Sequence, residues 1–145
     1  MNLQNHYWYF QSVIPPKVCD DIVRYANSIK DQIGVTGRFG NKKLNDNDIL
    51  DLKRERNSNI VWLYDKWIYR EIHPYIHRAN ENAGWNFEWD WSEACQFTKY
   101  GKGQYYDWHC DSFHAPYQRS DQNDPSHGKI RKLSVTVSLS DPKDY

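Results

Sequence analysis

In the first half of this chain, apolar residues recur every three or four positions in two stretches. Beyond Trp85 they give way to short alternating runs. That switch constrains the fold most, because a repeat of about 3.6 residues buries one face of a helix and a repeat of two buries one face of a strand. Over residues 17–30, Val18, Ile22, Ala26 and Ile29 make one apolar face behind Pro15-Pro16, which stop the preceding segment and preset the backbone for a helix start. A second helix is expected from Asp65, as N-cap, to Asn82, with Trp67, Ile68, Ile72, Ile76 and Ala79 on its apolar face, a kink at Pro74 and a stop at Gly84. Residues 86–91, 93–100, 104–111 and 130–140 read as strands, with Gly101-Lys102-Gly103 as a tight hairpin between the second and third. Residues 6–14 read as a short aromatic strand. Residues 34–59, rich in Gly, Asn, Asp and charge, read as a long, solvated, mobile connection. The fold class expected is α+β, with N-terminal helices packed on a β core.

A length of 145 residues is room for one domain. Nineteen basic and nineteen acidic residues cancel, so no global field attracts nucleic acid, an anionic membrane or a polyanionic substrate. The 7 Trp, 11 Tyr and 5 Phe imply an aromatic-rich core. No window approaches the roughly 18 apolar residues of a membrane span, and the N-terminus has no leader-like pattern, so the expectation is a cytoplasmic protein with no membrane or nucleic-acid partner. The pattern is silent on oligomeric state. Cys19, Cys95 and Cys110 are odd in number and lack CxxC spacing, which reads as reduced thiols.

The chemistry-bearing segment is Tyr100-Gly-Lys-Gly-Gln-Tyr-Tyr106-Asp-Trp-His109-Cys110-Asp111. On a strand, residues two apart project to one side about 7 Å apart, so His109 and Asp111 would converge while Cys110 turns away as a buried, inert thiol. One imidazole and one carboxylate are part of a 2-His-1-carboxylate triad, the donor set of non-haem Fe(II). The plainer reading is a structural hydrogen bond between the pair. His73, His77, His114 and His127 are set aside as third ligands, the first two lying on the expected helix and the others in a polar loop. Tyr100 and Tyr106 read equally as core or cross-strand residues. In residues 130–140, Leu133, Val135, Val137 and Leu139 alternate with Ser134, Thr136, Ser138 and Ser140, so one face is apolar and the other hydroxylated.

The spaced tyrosines, glycines and HxD of residues 100–111, the following loop and the alternating run from Arg131 resemble the 2-oxoglutarate/Fe(II)-dependent oxygenases of the prolyl 4-hydroxylase type. Upstream, Pro15-Pro16, the Arg56–Leu63 stretch and Ala79-Asn80 agree, so the resemblance extends over nearly the whole chain. It implies a double-stranded β-helix (jelly-roll) core, partial here, and Fe(II) bound by His109 and Asp111. It implies a 2-oxoglutarate pocket near Tyr100 and Tyr106, with Ser138 on the hydroxylated face, O₂ as oxidant and ascorbate as reductant. The activity implied is hydroxylation of a substrate C–H bond, prolyl, peptidyl or in a small molecule, with residues 112–129 as a substrate lid. The family pattern continues with a Gly-Gly-Glu-Leu-like strand, a distal metal-binding His and a 2-oxoglutarate-binding basic residue. Tyr145 precedes all three, so the expectation is a shortened domain lacking its third ligand. The rival from another class is a non-catalytic β-sandwich that binds sugar or peptide on Trp85, Trp89 and Trp91.

Overall fold

Pro16 occupies the first position of helix α1 (Pro16–Ser28), where its missing N–H costs nothing, and the Pro15 carbonyl accepts from Val18 N at 2.8 Å. Ile22 and Ala26 are buried on the face that the periodicity assigns. The computed structural model describes residues 5–39, 43–112, 115–141 and 143. The remaining elements are β1 (Gln32–Ile33), α2 (Asp46–Glu55), β2 (Arg56–Asn57), β3 (Asn59–Leu63), α3 (Lys66–Asn82), β4 (Cys95–Lys99) and β5 (Tyr105–Tyr106). The class is α+β. Two compact units are distinguished, one of Met1–Val23, Tyr64–Glu93 and Cys110–Tyr145, the other of Arg24–Leu63 and Ala94–His109. Among the described residues, no helix is long and apolar enough to cross a membrane.

The second unit holds all five strands found among the described residues. β3 lies between β1 and β4 in an antiparallel sheet, with Val61 opposite Phe97 and Ile60 opposite Thr98. Ile60, Val61 and Leu63 are buried, each burial worth about 1.5–3 kcal/mol. β2 pairs with β5 in a separate two-stranded ribbon. The turn at Gly101–Gly103 forms as expected, with Gln104 N bonded to Gly101 O at 2.9 Å and Gly103 at φ +75°. It does not close a hairpin ladder, because β4 and β5 pair with different strands.

The expected polar connection over residues 34–59 is wrong. Asn45 caps α2 through a reciprocal box, its side chain accepting from Asp48 N at 2.9 Å while Asp48 accepts from Asn45 N at 3.1 Å. Asp46 and Asp48 in the first turn and Lys53 and Arg54 in the last complement the helix dipole, and Leu52 anchors the helix in the core. The asparagines and aspartates that suggested a loop are therefore the start of a helix.

In the first unit, α3 runs through Pro74 with Ile68 and Asn80 buried. The expected N-cap Asp65 is in place without a side-chain capping bond. The buried Asn80 amide donates to Phe87 O at 2.8 Å and accepts from Phe87 N at 3.0 Å, so residues 84–87 fold back on the helix end through Gly84 at φ +70°. The expected strands over residues 6–14, 86–91 and 130–140 do not form. Their main-chain groups are tied instead by isolated bonds, such as Tyr75 Oη to Val13 O at 2.7 Å, and among the described residues none of the three has a ladder partner. Residues 130–140 keep part of the alternation, with Leu133, Val137 and Leu139 half-buried, but Val135 is 48 % exposed.

Candidate functional site

β5 ends at Tyr106, so residues 107–111 lie outside any strand and the alternation argument for His109 and Asp111 does not hold. His109 is positioned from the end of the β2–β5 ribbon. Asp107 N bonds to Glu55 O at 3.0 Å, continuing the β2–β5 ribbon, and the Asp107 carboxylate accepts from Trp108 N at 2.8 Å. The Asp107 carbonyl lies 2.7 Å from His109 Nδ1. A carbonyl only accepts, so Nδ1 carries the hydrogen, and in the neutral ring Nε2 carries the lone pair. The imidazole stacks on Tyr106, centroids 3.6 Å apart and planes 15° apart. His109 is exposed, and Trp108 beside it is wholly so. Tyr100, at the exit of β4, is 52 % exposed.

Asp111 belongs to the other unit. Its carboxylate accepts from the Ser134 hydroxyl, and its main-chain carbonyl accepts from the Arg131 guanidinium. Arg131 is ion-paired with Glu93, which also accepts from Tyr117 Oη at 2.9 Å. Burial first, and then this bond to Glu93, push the Tyr117 phenol above its ordinary range. Sequence reasoning missed Glu93, Tyr117 and Arg131. The approach of Arg131 and Ser134 to Asp111 spans about twenty residues, with no local signal to mark it. Ser138 is exposed in the same unit.

Cys110 is exposed, not buried as strand alternation required, and Cys19 and Cys95 are half-buried. His73 lies 3.1 Å from Ser92 Oγ and packs edge-on to Trp89, while His77 tilts over the same indole at 4.6 Å. His127 Nδ1 accepts from Arg119 N at 3.1 Å; His114 lies outside the described residues. The loop of residues 112–129 is internally bonded where described, with Tyr117 and its partners Lys129 and Gly128 exchanging main-chain bonds of 2.8 and 2.9 Å. Trp85, Trp89 and Trp91 are half-buried, and Trp85 Nε1 donates to Asn5 O at 2.6 Å, so internal contacts occupy part of the surface a sugar platform would need. Among the described residues, no three His, Cys, Asp or Glu side chains gather as a metal centre. No family model, curated protein or solved structure matches this chain.

Proposed function

We propose that this chain is an Fe(II)- and 2-oxoglutarate-dependent dioxygenase of the prolyl 4-hydroxylase type, with His109 and Asp111 as two of its metal ligands. The observation that carries the reading is the Asp107 carbonyl on His109 Nδ1. Metal-binding imidazoles are characteristically oriented by a carbonyl or carboxylate on the far nitrogen, and that bond leaves Nε2 with the donor lone pair. The donor types, one neutral imidazole and one carboxylate, fit Fe(II). The Ser134 hydroxyl on the Asp111 carboxylate supports the reading further, since ligating carboxylates are themselves hydrogen-bonded. Bound iron would supply O₂ activation coupled to oxidative decarboxylation of 2-oxoglutarate, with ascorbate as reductant. The protein's part is to orient the ligands and bind cosubstrate and a peptidyl or small-molecule substrate, with Tyr100 and Ser138 as the candidate cosubstrate contacts. A partial double-stranded β-helix is the finer architecture proposed, supported by the alternation over residues 130–140.

Anaerobic calorimetry with Mn(II) as the Fe(II) surrogate tests the assignment. Weak binding is expected, abolished by His109→Ala and by Asp111→Ala. Tight stoichiometric binding that survives His109→Ala overturns it. Where Fe(II)-dependent succinate formation from 2-oxoglutarate is measured, Asp111→Ala is expected to remove it, because the anionic ligand is lost.

A further inference from the structure

His109 is the outer member of a column of three side chains, stacked on Tyr106 of its own segment with Arg56 of the paired strand β2 behind. Arg56 and Tyr106 are direct partners across the β2–β5 ribbon, and the Arg56 guanidinium carbon lies 4.4 Å from the Tyr106 ring centre. With the imidazole at 3.6 Å covering one face of that ring, the other face is left for the guanidinium. Arg56 is only 3 % exposed. Its Nε donates to Ser58 Oγ at 2.8 Å and its Nη1 to Val35 O at 3.1 Å, whereas Nη2 is buried with no hydrogen-bond partner. Gly34 lies flat against this group, and a Cβ there would come within 2.5 Å of Nε. Among the described residues, no carboxylate pairs with Arg56.

A buried cation without a counter-ion and with an unmet donor is costly, and an apolar residue of similar length would fill the same space without that cost. An exposed imidazole, for its part, adds little to the core by being held. Both features make sense together if the fixed guanidinium braces Tyr106, and Tyr106 braces the imidazole. We infer that Tyr106, backed by the buried Arg56, is a positioning residue for His109, fixing the plane of its imidazole so that the Asp107 carbonyl holds the Nδ1–H tautomer and Nε2 is the nitrogen offered to metal. The metal in this statement rests on the proposed function; the ordering of the ring belongs to the metal-free chain. Tyr106 then acts through His109, not as a wall of the 2-oxoglutarate pocket.

Nitrogen-15 correlation spectra of the histidine rings test the inference without metal, the His109 signals being assigned by His109→Gln. The expected wild-type pattern is one Nδ1–H tautomer for His109. Tyr106→Phe, which keeps the stacking face, retains it; Tyr106→Leu gives an averaged pattern, and Arg56→Met shifts in the same direction. Mn(II) affinity is expected to fall about tenfold or more in Tyr106→Leu and to be restored in Tyr106→Phe. A His109 pattern unchanged in Tyr106→Leu overturns the inference. If Arg56→Met does not fold, the Tyr106 pair decides alone. Mn(II) binding indifferent to His109→Gln would defeat the dioxygenase reading, and the ring spectra would still decide the role of Tyr106.

Discussion

His73 shows how a residue set aside as a ligand acquires a physical role from its surroundings. It sits against Tyr69 and Trp89, with Ser92 Oγ on its Nε2. Burial, and then the neighbouring His77, hold its pKa below the ordinary imidazole value of 6.5. The unfolded chain therefore binds more protons in the window between the lowered folded value and 6.5. His73's contribution is fully present above that window and is lost as pH falls through it. Urea unfolding is expected to show a lower midpoint at about pH 5 than at about pH 7, and a smaller drop in His73→Gln, whose amide can keep the Ser92 contact. An equal drop in both proteins would assign the effect to other groups. The sequence placed His73 on a helix and excluded it as a ligand; the indole packed beside it, sixteen residues on, carried no such local mark.

At the scale of elements, the two helices with clean apolar periodicity, α1 and α3, were legible, because their spacing, the Pro-Pro start of the first and the Gly84 stop of the second are written in consecutive residues. α2 was not. Its apolar face is thin, and its Asn/Asp start resembles turn composition, since the same side chains that terminate strands also cap helices. The capping box makes the helix testable. Asn45→Ala removes the acceptor for Asp48 N and is expected to cost about 1 kcal/mol, read as a lower urea midpoint with unchanged slope. Asn45→Ser, which can still cap, is expected to recover most of that. The misread strands fail for the complementary reason. A run such as residues 6–14 has strand-like aromatic content, but a strand exists only when another segment supplies its ladder.

On the scale of the whole molecule, residues 130–140 are the exposed consequence of that rule. They carry alternating apolar side chains, have no ladder partner among the described residues, and leave Val135 48 % exposed. An apolar side chain left exposed on a segment outside the sheets favours association. Light scattering is expected to show concentration-dependent oligomers that Val135→Lys suppresses; a monomer at every concentration would show that this segment is protected. The sequence by itself determined the α+β class, the presence of α1 and α3 and the turn at Gly101–Gly103. All are carried by neighbours within a few positions, where periodicity, capping and turn preference act. Only the tertiary structure decided that β4 and β5 belong to different sheets, that Arg56 at the start of β2 is buried against Tyr106, and that Ser134 reaches Asp111. Such contacts join segments about twenty to fifty residues apart, and their energies depend on burial and on which partner fills a face, quantities that no local pattern encodes.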